Sequence, residues 1–153
     1  MTPIVCRSVQ DAISFAIAQE KKSRDFYLQC RDRAKNPGVR TFFGEMADAD
    51  AAHLKLLNEI EESDATRFVP PDIDDYHLSE FLVDVEFNPD ITYQEALVMA
   101  MKKEEKVHAF YEFWRVRCGC KRISALFGHL AAEALGHKHK IEAIYDSEIL
   151  QWD

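Results

Sequence analysis

Apolar residues recur at 3.6-residue spacing along four long stretches, residues 8–35, 39–62, 92–117 and 122–147. Spacing of this kind gives a helix one apolar face, so each stretch is expected to be an amphipathic α-helix. Turn signals separate them: Asn36-Pro37-Gly38, Ser63-Asp64 and Cys118-Gly119-Cys120. Two starts carry a capping-box pattern, Ser8 with Asp11 and Thr92 with Glu95. Ala, Glu, Lys, Leu and Met, all good helix formers, are plentiful throughout.

Residues 63–91 break the pattern with Pro70-Pro71, Pro89 and the acidic run Asp72-Ile-Asp-Asp75. A short helix is expected near 78–85. Structureless loops of this length are unusual inside a compact domain. A crossover explains it: helices of ~25 residues are roughly 37 Å long, and a link joining two helical hairpins must travel that distance. A four-helix bundle with one long crossover is the ferritin-like architecture. The expectation is therefore an all-α, ferritin-like four-helix bundle, with residues 1–153 as one domain and the crossover between helices two and three.

The chain also repeats itself. Residues 10–62 set against 94–146, a shift of 84, give 14 identities in 53 gapless positions. Average composition would give roughly three or four. The matches include Glu20 with Glu104, Phe26-Tyr27 with Phe110-Tyr111, Arg31 with Arg115, Phe43-Gly44 with Phe127-Gly128, and His53 with His137. Two unrelated amphipathic helices would match apolar positions, not glutamates, histidines and arginines. An internal duplication is the better reading.

Composition narrows the class. Hydrophobic residues make up 47% and charged ones 30%, an ordinary globular balance. A net charge of −8 argues against nucleic acid or an anionic membrane as partner, since those need a basic surface. No apolar run approaches the ~20 residues that span a bilayer. The first ten residues show no apolar signal region, and the cysteines at 6, 30, 118 and 120 form no dense disulfide framework. A reducing cytoplasm is the expected compartment.

The chemistry sits on the apolar stripes. The first helix runs Ile13, Ala16, Ile17, Glu20, Tyr27, and the third Leu97, Ala100, Met101, Glu104, Tyr111. The second carries Asp50 and His53 at i, i+3 among Phe43, Met46, Leu57 and Ile60, and the fourth keeps His137 among Phe127, Leu130 and Ile141. Three carboxylates and two imidazoles thus converge on the bundle centre, with Arg24 the only cation beside those stripes. Buried carboxylates are costly without a cation or metal. A divalent metal pair answers this, and carboxylate with imidazole suits iron, manganese or zinc. Glutamates from two helices plus Glu-x-x-His from the other two is the di-iron carboxylate arrangement.

Over residues 8–148 the chain resembles a rubrerythrin-type protein of the ferritin-like superfamily. The likeness rests on Glu20 with Phe26-Tyr27, Met46-Ala-Asp-Ala-Asp-Ala-Ala-His53, Glu104 with Phe110-Tyr111, and Leu130-Ala-Ala-Glu-Ala-Leu-Gly-His137. It implies metal ligands at Glu20, Asp50, His53, Glu104 and His137, with Asp50 replacing the usual glutamate. The sixth ligand should fall at position 134, which is Ala134. Glu133, next to it and i, i+4 from His137, is the first candidate to fill in, and His108 the second. The resemblance implies two iron ions, reduction of hydrogen peroxide or reaction with O₂, and a homodimer. The family's iron–sulfur module with its two Cys-x-x-Cys pairs has no counterpart here, so electrons would come from another protein. The alternative is non-catalytic iron or zinc binding at a degenerate site. Tyr27 and Tyr111 read as core aromatics able to hydrogen-bond ligand carboxylates. His77, His129 and His139 read as surface residues, and Cys118-Gly-Cys120 as turn thiols.

Overall fold

The structure is a computed structural model that describes residues 5–6, 9–63, 76–77, 92–119 and 121–148. Four long helices dominate: α1 (Val9–Arg33), α2 (Pro37–Ser63), α3 (Tyr93–Arg115) and α4 (Lys121–Glu148). Two short strands, β1 (Val5–Cys6) and β2 (Tyr76–His77), pair antiparallel, Val5 opposite His77 and Cys6 opposite Tyr76. This ties the middle of the crossover to the segment that enters α1. Nothing in the sequence pattern pointed to it, because two-residue strands carry no period. The expected short helix near 78–85 lies outside the described residues, as does Ser8 of the first capping box.

Helix starts follow local chemistry. Asn36 Oδ1 accepts from the backbone N–H of Gly38 at 2.8 Å and of Val39 at 3.3 Å. It is thus the cap of α2, with Pro37 in the first turn, where its missing N–H costs nothing. For that reason α2 begins at Pro37, two residues before the turn signal suggested. At α3, Thr92 Oγ1 accepts from the Glu95 N–H at 3.1 Å and donates to Glu95 Oε1 at 2.9 Å. Thr92→Ala is expected to remove about 1 kcal/mol, lowering the melting temperature by about 2–4 °C, measurable by calorimetry. Between α3 and α4, Gly119 turns the chain with a φ of 71°, which an L side chain rarely adopts.

The helices pack as two hairpins, α1 against α2 and α3 against α4. Two apolar clusters fill the interior. One joins Ile13 of α1, Leu57 of α2, Trp114 of α3 and Ile123 of α4. The other joins Tyr27 of α1, Phe43 of α2, Leu97 of α3 and Ile141 of α4. The end of α2 therefore lies in the first cluster and the start of α3 in the second. These two helix ends thus lie at opposite ends of the bundle, about 40 Å apart for helices of this size. The molecule is an all-α ferritin-like four-helix bundle.

The repeated arginines and glycines meet in each hairpin. Arg31 of α1 lies over Gly44 of α2, and Arg115 of α3 lies over Gly128 of α4. A Cβ at Gly128 would stand 3.1 Å from the Arg115 Cδ, a tight approach, whereas one at Gly44 would meet the Arg31 Cδ at 3.6 Å, an ordinary contact.

Candidate metal centre

Between the two apolar clusters lies a polar layer. Glu20, Asp50, His53, Lys103 and Glu104 are all no more than 6% exposed there. They border a cavity of about 30 Å³, together with Phe15, Val107, Phe110, Leu130, Ala134 and His137. The helix register explains the convergence. Each stripe places a polar side chain at mid-helix, two of them (Asp50 and His53) in α2, and antiparallel packing brings the four mid-points to one level.

Glu20, Asp50 and His53 each offer a ligand atom, and these lie within 4.8 Å of one another. His53 Nδ1 faces Glu20 Oε2 at 3.4 Å and Asp50 Oδ1 at 3.9 Å. Neighbours fix the carboxylates. Tyr111 O–H donates to Glu20 Oε1 at 2.9 Å, and Ser23 O–H donates to Asp50 Oδ2 at 2.6 Å. Tyr27 O–H donates to Glu104 Oε1. Each repeat half thus supplies the tyrosine that holds the other half's glutamate.

The remaining expected ligands are arranged differently. Glu133, half-buried at the rim, contacts the other nitrogen of His53, Nε2, and sits 3.2 Å from His129 Nε2. It is placed to orient the His53 ring rather than to join Glu20 and Asp50 around one point. Glu104 Oε1 meets Lys103 Nζ at 2.9 Å and His137 Nδ1 at 3.7 Å. Ala134 is buried against the cavity and offers no donor. His108 turns away: its Nδ1 is 2.8 Å from the Ala131 carbonyl oxygen, and it does not border the cavity. His129 and His139 are exposed, Cys118 is buried in the turn, and Cys120 and the His77 side chain lie outside the described residues.

The expectation about cations is overturned. Arg24 is exposed, whereas Lys103 is 5% exposed and points into the site. Its ammonium donates to Ser23 Oγ and stands 4.0 Å from the Tyr27 ring centroid. Sequence reasoning missed it because Lys103 lies one residue off the apolar stripe that carries Glu104. The repeat held the signal: the counterpart of Lys103 is Gln19, which also borders the cavity.

Electrostatics follow from burial and pairing. Burial alone would lower the His53 imidazole, but the Glu20 and Glu133 carboxylates raise it to about 9. Burial would raise the Glu104 carboxyl, but Lys103 and His137 hold it at about 2. Asp50 is raised well above the ordinary carboxylate range, chiefly by burial and against the pull of Lys103. Tyr27 and Tyr111 are raised by burial and by the adjacent carboxylates, so both remain hydroxyl donors.

The donor set fits one divalent ion. Two carboxylates and an imidazole suit iron, manganese or zinc, and ligands at ~2.0–2.2 Å from an ion stand at most about 4.4 Å apart. A shift of a few tenths of an ångström from the 4.8 Å spread closes the gap. On the Glu104 side the fit to a second ion fails, because Ala134 lacks an oxygen and an ammonium already sits on the carboxylate.

Comparison with known proteins now bears on this geometry. The sequence pattern of the rubrerythrin family matches residues 11–89, just over half of the chain. The chain belongs to the rubrerythrin family. A hypothetical protein from Pyrococcus furiosus has a similar solved structure, with 21% identity, a TM-score of 0.77, and 95% of this chain and 92% of that one covered. A Thermotoga maritima protein described as ferritin-like and diiron-carboxylate aligns with 19% identity, a TM-score of 0.71, and 92% and 95% coverage. No curated protein matches the chain. Among the described residues, no helix is long and apolar enough to cross a membrane.

Rubrerythrin-family membership makes the tyrosine bonds testable. Tyr111→Phe keeps the ring and deletes only the donor to Glu20. Groups that orient metal ligands typically contribute 10–100-fold to metal affinity. A loss of that size is expected, with unchanged helix content, when Fe(II) or Zn(II) binding is titrated by calorimetry.

Proposed function

We propose that this rubrerythrin-family chain is a non-haem metal protein that binds iron at Glu20, Asp50 and His53 and there reacts with hydrogen peroxide or O₂. The observation that carries the reading is the buried meeting of those three side chains beside a cavity. Bound iron would supply electrons one at a time to an O–O bond, and an external donor protein would replace them. The chain's own part is to bind, position and shield. Tyr111 and Ser23 fix the oxygens of Glu20 and Asp50, leaving their other oxygens toward His53. Glu133 fixes the ring of His53 through Nε2. Phe15, Val107, Phe110 and Leu130 wall the cavity with apolar surface and limit it to small molecules. A peroxide molecule has two oxygen atoms and is of the size that about 30 Å³ admits.

A second reading is binding without turnover, for storage or sensing, and Ala134 favours it. Reducing peroxide to two waters takes two electrons, and the residue that would complete a second metal position is an alanine. The test is peroxide consumption by anaerobically Fe(II)-loaded protein supplied with a reductant. Sustained consumption above free Fe(II) supports the reaction. Full iron loading without consumption selects the binding reading. The ordinary arrangement of small symmetric oligomers favours a homodimer, which sedimentation would test.

A further inference from the structure

We infer that Lys103 takes the place of a second metal ion, so that the centre binds a single divalent ion beside a fixed ammonium. The inference rests on the metal-binding reading above, not on turnover. Three observations carry it. First, the two halves of the repeat supply unequal donors to the site. The first half brings Glu20, Asp50 and His53 together; the second offers Glu104, Ala134 and His137. Ala134 stands where the other half has Asp50, is 2% exposed, and presents a methyl group to the cavity.

Second, the lost donor coincides with a gained cation. Lys103 occupies the position of Gln19 in the other half, and its ammonium is 2.9 Å from Glu104 Oε1. A buried ammonium is costly unless paired and hydrogen-bonded. Here it is both, through Glu104, Ser23 Oγ and the face of Tyr27. Third, the bonds run in one chain across the centre. Lys103 donates to Ser23, and Ser23 donates to Asp50 Oδ2. The ammonium therefore neutralises Glu104 and also helps to set a carboxylate oxygen of the ion site. Glu104 Oε1 is taken by Lys103 and Tyr27, and a divalent ion there would be repelled by the adjacent positive charge.

The test compares wild-type protein with Lys103→Gln/Ala134→Asp, which copies Gln19 and Asp50 into the second half. Both are loaded anaerobically with Fe(II), and separately with Zn(II), then desalted. Ions per chain are counted by plasma mass spectrometry and native mass. One ion per wild-type chain and two per variant chain are expected. Two ions in the wild type would overturn the role of Lys103 while leaving metal binding intact. One ion in a folded double variant would overturn it equally, since restoring the donor would not reopen the position. No ion in the wild type would overturn this inference and the metal-binding reading together. The wild-type count stands alone if the variant does not fold.

Discussion

Saturating Fe(II), added without oxygen, is expected to raise the melting temperature of the protein by about 8–16 °C, and a chelator to reverse the rise. A ligand that binds only the folded state stabilises it by about 4.1 kcal/mol at a thousand times its dissociation constant. For a chain of this size each kcal/mol moves the melting temperature by about 2–4 °C. The effect is large because Glu20, Asp50 and His53 are buried together and assemble only in the fold. Asp50→Ala/His53→Ala should abolish the rise while leaving both apolar clusters in place. The same melting temperature with and without metal, in protein shown to be folded, would mean a polar core that binds nothing.

The second large effect concerns pH. In the metal-free protein the His53 imidazole is raised from an ordinary 6.5 to about 9 by Glu20 and Glu133, against the opposing pull of burial. A group raised in the folded state stabilises fully below its unfolded value, and that stability is lost as pH rises through the folded value. Metal-free protein should therefore lose about 3 kcal/mol between pH 6.5 and 9. Urea unfolding in chelator at the two pH values would measure it, and His53→Gln should flatten the dependence. Metal needs the unprotonated ring, so binding near neutrality should release a proton. Calorimetric titration in buffers of different ionisation enthalpy would detect the release. Metal-loaded protein should keep its stability up to pH 9. A metal-free protein equally stable at both values would contradict the pairing of His53 with the two carboxylates.

Much of this architecture was legible from spacing alone. The apolar stripes of residues 13–27, 43–60, 97–111 and 127–144 face the interior, and the polar residues at mid-stripe, Glu20, Asp50, His53, Glu104 and His137, proved to mark one layer. The crossover was legible because its length had to match the bundle. Glu20, Asp50 and His53 stood out because a charged group on an apolar stripe has few explanations. What escaped the sequence depends on side-chain reach. Lys103 lies beside the stripe, yet its four-carbon stem carries the ammonium inward to Glu104. Glu133 was expected to serve the side of His137, but its carboxylate crosses to His53. The pairing of Val5–Cys6 with Tyr76–His77 escaped because it is backbone chemistry between two short segments.

The most direct test is anomalous diffraction at the iron edge from crystals grown and loaded without oxygen. A single strong peak bounded by Glu20, Asp50 and the Nδ1 of His53, with the Lys103 ammonium still against Glu104, is the predicted result. A peak elsewhere in the bundle, or none in crystals whose iron content is confirmed, would contradict the assignment of these residues as the metal centre.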